Sequence, residues 1–235
     1  LHLCDRRQRQ MCIRDSSYID MLRRNMVDGV IVNSLNIGAE AYAEMGLSLV
    51  GIDCDLGEAS VQIASDSYSI GELATRRLID DGCSRILCLR SNSRMRMPAN
   101  KRTDAYLDVV EQAGLSALVR EVEFVKPDDE KSAVVAKILD ENPDIDGIFA
   151  GDDTMAAICL NVMKQRGLSA PDDIKVVGAD GARRTMTFMP DLTTVRQDID
   201  RIGELAAQSI IALVNGEKPE SNIKLPVELI EGKTA

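Results

Sequence analysis

Residues 146 to 167 read "DGIFAGDDTMAAICLNVMKQRG". A short apolar run ends at Gly151, two adjacent aspartates follow, and an amphipathic stretch begins on top of them. Apolar residues at three- and four-residue intervals predict a helix there, and Gly167 stands where a helix stop belongs. Strand, acidic turn and helix in this order form the repeating unit of a parallel sheet, whose ligands bind beyond the carboxyl ends of the strands. The stretch also poses a chemical question. Asp152 and Asp153 read as a catalytic pair, a metal site, a helix cap or part of a grip on a small molecule.

Working outward, the same unit recurs in both directions. From Ser16 helical patterns alternate with short β-rich runs: "DGVIVNS", "LSLVGID", "VQIAS", "SRILCLR", "REVEF", "IDGIFA", "DIKVVGA", "LTTV" and the terminal "IKLPVELI". Most are almost continuously apolar, as strands covered by helices on both faces must be. Between them lie amphipathic stretches such as "SIGELATRRLIDDG" and "DDEKSAVVAKILDENP". Gly82, Gly114 and Gly167 stand as helix C-caps, and Pro143 and Pro171 mark helix-to-strand connections. The longest predicted helix is "DIDRIGELAAQSIIALVNG", followed by a short strand pair. The expectation is an α/β fold with parallel sheets.

With 235 residues, 45% of them hydrophobic, the chain can bury a full core as one large domain or two small ones. Lys and Arg number 28 against 38 Asp and Glu, a formal net charge of −10, so the surface as a whole repels phosphate and does not bind DNA electrostatically by itself. The six cysteines (Cys4, Cys12, Cys54, Cys83, Cys88, Cys159) show no CxxC pair and no histidine at metal-ligand spacing, and read as reduced core thiols of a cytoplasmic protein. No apolar run reaches membrane-spanning length. The start, "LHLCDRRQRQMCIRDS", is basic, aperiodic and unlike everything after it.

The polar residues that follow the apolar runs form a consistent set. "LVGI" ends in Asp53, "GIFAG" in Asp152 and Asp153, "KVVGA" in Asp180 and "LTTVR" in Gln197, while Arg102 lies near the opening of the helix after "RILCLR". Carboxylates, an amide and a guanidinium suit a polyhydroxylated ligand, because acceptors bridge adjacent hydroxyls and arginine presents a rigid donor fork. Each has a plainer reading. Asp153 reads first as an N-cap or first-turn acid, Asp152 and Asp180 equally as caps, Arg102 as a solvated surface charge, and Asp66 as the cap of a helix beginning near Ser67. Catalytic chemistry lacks its parts. The only histidine is His2, and there is no GxSxG elbow, phosphate loop or dinucleotide fingerprint. A Mg²⁺ site on Asp152, Asp153 and Asp180 would have no nucleophile beside it.

Five motifs in order, "VDGVIVNS", "DSYSIGELATRRLIDDGCSRI", "DGIFAGDDTMA", "IKVVGAD" and "PDLTTVRQDIDRIGELAA", closely resemble the effector-binding core of the lactose/galactose repressor family of bacterial transcription regulators. The resemblance runs from about Ser17 to the C-terminus. It implies a periplasmic-binding-protein-like (type I) fold of two doubly wound parallel-sheet lobes joined by a hinge that the chain crosses three times, with the effector between them. It places residues 17–65 plus 197–217 in an N-terminal lobe and 66–196 plus 218–235 in a C-terminal lobe. It assigns effector contacts to Asp53, Arg102, Asp152, Asp180 and Gln197, with Asp153 as the capping neighbour of Asp152. It further implies a cytoplasmic homodimer, no enzymatic activity, no cofactor, no metal and no membrane, and contact with operator DNA only through a helix-turn-helix headpiece.

Several residues depart from the family pattern. Asp152 stands where asparagine is usual, Ala105 replaces the glycine of the arginine motif, Gly181 the usual second acid after Asp180, and Cys83 the histidine before "SRI". A sugar-stacking platform would have to come from Tyr68, Phe124 or Phe188, each of which reads first as ordinary packing. A neutral sugar is the default effector. Purines and sugar phosphates also occur in the family, and Arg94, Arg96, Lys101 and Arg102 in "SNSRMRMPANKR" would suit a phosphate if they were more than a solvated loop. The headpiece, hinge helix and first strands expected of the family have no counterpart before Ser17; residues 1–16 read as a foreign or disordered leader on a fragment whose exposed sheet edge invites unwanted pairing. The alternatives are a periplasmic sugar-binding protein of a transport system and a Mg²⁺-dependent hydrolase.

Overall fold

The computed structural model describes residues 27–33, 47–54, 56–57, 60–91, 98–123 and 126–235. The expected leader, Cys4, Cys12, Arg94, Arg96 and Phe124 lie outside them. The chain forms two compact units and passes between them three times. One unit takes the described residues of Leu1–Ala64 together with Asp200–Lys224; the other takes Ser65–Ile199 and Leu225–Ala235.

The first unit is built on a four-stranded sheet in the order β1 (Gly29–Val32), β2 (Ser48–Ile52), β3 (Val61–Ser65), β9 (Asn222–Leu225), of which β1, β2 and β3 run parallel. Helix α6 (Ile199–Val214) lies against β1 so closely that a side-chain carbon at Gly29 would come within 2.6 Å of Ile210. The core here is small: Val32, Leu49, Cys54 and Leu56 form one buried cluster.

The second unit carries a six-stranded sheet in the order β10 (Val227–Ile230), β8 (Thr193–Gln197), β7 (Lys175–Asp180), β6 (Gly147–Ala150), β4 (Ile86–Ser91), β5 (Leu118–Val122). All pairs are parallel except β10 with β8. The apolar runs alternate between two cores, as side chains on a pleated strand must. Ile86, Cys88, Phe149, Val177, Ala179 and Val195 face α1 (Ser67–Asp80) and α2 (Asn100–Gln112), packing with Ile70, Leu78, Tyr106 and Val110. Leu87, Leu89, Ile148, Ala150 and Val176 face α3 (Asp128–Glu141) and α4 (Asp153–Gln165), packing with Val135, Ile138, Cys159 and Val162. A short helix, α5 (Arg183–Phe188), links β7 to β8 and buries none of its residues.

Local signals explain most boundaries. Asp66 caps α1 by accepting from the Ser69 amide, and Gly82, Gly114 and Gly167 end their helices with φ of +88°, +70° and +74°. Pro226, with no N–H to offer a ladder, divides "IKLPVELI" into β9 and β10, which join different sheets. One strand lies earlier than the reading of "REVEF" places it. β5 spans Leu118–Val122 because the buried anchors are Leu118 and Val122, while Arg120 and Glu121 between them are exposed.

Tyr106 fixes this edge of the sheet. Its fully buried hydroxyl donates to the Ile86 carbonyl at 2.7 Å and accepts from the Leu118 amide at 2.8 Å, tying α2 to the first residues of β4 and β5. Tyr106→Phe leaves both backbone groups buried without a partner, which costs roughly 1–3 kcal/mol. A lower midpoint in urea denaturation, with unchanged m-value, is the expected result.

Candidate functional site

Strand order places the site. β4 lies between β5 and β6, so the chain leaves β4 in one direction, over α2 to β5, and returns across it to β6; this is the switch point at which doubly wound sheets leave room for ligands. Arg102 opens the helix after β4, and Asp152 follows β6. Asp180 and Gln197 end the neighbouring strands β7 and β8.

Three of these side chains are bonded together. Asp180 accepts from the Arg102 guanidinium at 3.2 Å and from the Gln197 amide at 2.5 Å, both on Oδ1. Arg102 also donates to the Gly151 carbonyl at 2.5 Å, while its Nε is buried without a hydrogen-bond partner. Its side chain is only 12% exposed, so the expectation of a solvated surface charge is corrected. The reason is packing: a side-chain carbon at Gly71 of α1 would stand 2.0 Å from the Arg102 carbonyl oxygen, so α1 presses directly on the first turn of α2.

The two adjacent aspartates exchange the roles expected of them as cap and neighbour. Asp152 is the N-cap of α4, in an extended conformation with φ −152°, and accepts from the Met155 amide at 2.7 Å. Asp153 is the first helical residue and turns inward to 3% exposure. Its Oδ2 accepts from the Gly181 amide at 2.8 Å and its Oδ1 from the Thr194 hydroxyl at 2.6 Å. A cap must precede the first turn, so only Asp152 can reach the amide three residues on, and the next side chain is directed back over the sheet. Asp180 is no helix cap either: α5 begins after Ala182, without a side-chain cap. Its backbone has φ +114°, a region that non-glycine residues occupy at a cost of about 1–3 kcal/mol.

Burial and the neighbouring charges of Asp180 and Asp152 push the Asp153 carboxyl up to about 6, against the pull of its two hydrogen bonds. Asp180 is raised too, by burial first, with Arg102 and Gln197 acting in the opposite sense. Both Asp153 oxygens are thus engaged by the protein, and among the described residues no group of three or more His, Cys, Asp or Glu side chains is arranged to hold a metal ion.

The remaining candidates fall elsewhere. Asp53, at the end of β2 in the other unit, has φ +50° and donates its amide to the Ile63 carbonyl at 3.0 Å. Tyr68 donates its hydroxyl to Asp108 of α2 at 2.8 Å. Phe188, expected to pack, is 75% exposed at the end of α5. Thr194 and the Gly151 carbonyl join the cluster without having been singled out in the sequence, and Gly181, noted there only as a departure from the family pattern, joins through its amide.

Polar side chains gathered at the carboxyl ends of a doubly wound sheet, in a chain that passes three times between two units each built on a largely parallel sheet, define a ligand-binding module of the periplasmic-binding-protein type. The family of periplasmic binding protein-like domains matches residues 75–235. The sucrose operon repressor of Pediococcus pentosaceus is 32% identical over 224 residues, covering 94% of this chain and 68% of that repressor. The ribose operon repressor of Halalkalibacterium halodurans is 29% identical over 223 residues, covering 94% of this chain and 66% of its own length. The solved structure of the transcriptional regulator CelR in complex with cellobiose superposes with a TM-score of 0.85 at 27% identity, covering 95% of this chain and 70% of that one. The chain belongs to the lactose/galactose repressor (LacI/GalR) family of transcriptional regulators, as the effector-binding core and not as an enzyme.

Because the folded state holds the Asp153 proton more tightly than the unfolded chain, the contribution of this group to stability is full below about pH 4 and is lost as pH rises through about 6. Thermal melts from pH 4 to 7.5 should therefore show a fall across this window that is shallower in Asp153→Asn. An identical slope in the variant would mean that other carboxyls carry it.

Proposed function

We propose that this chain binds a neutral sugar as the effector of a cytoplasmic, homodimeric transcription regulator, through Arg102, Asp152, Asp180 and Gln197, with Asp53 at the end of β2 as a further contact. The observation that carries this reading is the single Asp180 carboxylate shared by the Arg102 guanidinium and the Gln197 amide at the switch point. Such a set offers donors and acceptors a few ångströms apart, the spacing of adjacent hydroxyls on a sugar ring. Asp152 keeps one carboxylate oxygen beyond its capping bond, an acceptor for a hydroxyl donor.

Charge favours a neutral ligand over a phosphorylated one. The Arg102 charge is already matched by Asp180, and Asp152 and Asp153 add two more acids beside it. Among the described residues of the cluster, a phosphate there would meet net negative charge. The relatives support the class: they include repressors named for sucrose and ribose operons, and a regulator solved with cellobiose. In a regulator of this family, effector binding would change operator affinity by a coupling free energy of about 1–3 kcal/mol, with the DNA contacts made by a helix-turn-helix headpiece.

A thermal-shift screen against D-ribose, sucrose, cellobiose, lactose, ribose 5-phosphate and adenine tests the reading. A ligand at a hundred times its dissociation constant adds about 2.7 kcal/mol, on the order of 5–10 °C for a chain of this size. The expected result is a shift with a neutral sugar that disappears in Arg102→Ala, and none with ribose 5-phosphate. A shift given only by the phosphate or by adenine, or one that persists in the variant, would overturn it.

A further inference from the structure

Asp153 is buried and bonded both to the turn after β7 and to β8, yet nothing in the binding chemistry uses it directly. It opens α4, immediately after β6. One oxygen takes the Gly181 amide, which follows β7, and the other takes the Thr194 hydroxyl in β8. A single carboxylate therefore ties the start of α4 to the turn after β7 and to the second residue of β8. The space it occupies is reserved for it: a side-chain carbon at Gly178 would lie 2.5 Å from Asp153 Oδ1 and 3.3 Å from Thr194 Oγ1.

The amide that Asp153 holds belongs to the peptide joining Asp180 to Gly181, and both residues of that peptide sit at positive φ, +114° and +59°. For Asp180 this conformation is unfavourable, and it persists only where surrounding contacts impose it. The same conformation aims the Asp180 carboxylate at Arg102 and Gln197. From this geometry we infer that Asp153 is the positioning residue of the effector site: its grip on the Gly181 amide and on Thr194 holds Asp180 in the strained conformation that presents its carboxylate to Arg102 and Gln197. The inference rests on the reading of Asp180 as an effector contact, and its test is made without effector, so that the two can fail separately.

The hydrogen-bond inventory supplies both a disruptive and a conservative variant. Asp153→Ala removes the grip. Asp153→Asn retains it, because the amide oxygen accepts from Gly181 while the amide nitrogen donates to Thr194, whose hydroxyl serves equally as acceptor. The readout is the side-chain amide pair of Gln197 in ¹⁵N–¹H correlation spectra of the full chain, identified as the pair missing in Gln197→Glu. In Asp153→Ala this pair should move to the positions of solvent-exposed glutamines, with the backbone spectrum of β4 and α2 retained. In Asp153→Asn it should stay where it is in the native chain. Thr194→Val, which removes one of the two anchors, should move it in the same direction as Asp153→Ala and by less. A Gln197 pair unmoved in folded Asp153→Ala, or displaced equally in Asp153→Asn, overturns the inference. If Asp153→Ala does not fold, Thr194→Val decides alone: a displaced pair supports the inference, an unmoved one overturns it.

Discussion

A carboxylate in the interior must find donors, and in this protein the need of Asp153 organises the binding edge of the larger sheet. Its partners come from elements far apart in sequence: the turn after β7 and a hydroxyl of β8. Once those bonds are made, the start of α4, the turn after β7 and the second residue of β8 are held together, and Asp180, which precedes that turn, cannot move independently of them. The close contact of α1 with α2 at Gly71 does the same for Arg102 from the other side. The groups proposed to contact the effector are thus held by packing and hydrogen bonds that the ligand need not supply, which lowers the ordering cost of binding.

The architecture was legible because it is repetitive. Nearly continuous apolar runs separated by amphipathic stretches describe a sheet covered on both faces, and the alternation of Leu87 and Leu89 with Ile86 and Cys88 between the two cores follows from strand geometry alone. That Asp152, Asp180 and Gln197 stand just where apolar runs stop was equally visible. Periodicity could not say which of two neighbouring acids would cap α4 and which would turn inward, since that depends on a Thr194 hydroxyl and a Gly181 amide supplied from 41 and 28 residues away. The left-handed turn at Asp180 was hidden for the same reason: no local signal marks a non-glycine residue for that conformation. The register of β5 was misjudged because charged residues on an edge strand dilute the apolar pattern that anchors it.

Asp152 illustrates how one side chain can serve structure and, on the proposed reading, recognition together. Its capping bond to the Met155 amide uses one oxygen and places negative charge at the amino end of α4, where the helix dipole is favourable to it. An asparagine in this place would cap as well, so beyond that favourable charge at the helix end the carboxylate adds nothing that the cap requires. Its contribution is to the local electrostatic balance, in which Arg102 is the cation bonded to Asp180 and the acids outnumber it.

The cysteines have a practical consequence. Cys54, Cys83, Cys88 and Cys159 are all buried and unbridged, and burial raises the thiols of Cys83, Cys88 and Cys159 to about 11, 12 and 12. Thiolate is the reactive form, so these sulfurs are inert to alkylating reagents until the segment around them opens. Cys54 belongs to one unit and the other three to its companion, on β4, at the turn before it and on α4. The chain thereby carries its own set of timed chemical reporters, by which the opening of each unit could be followed as a separate alkylation rate without introducing any label.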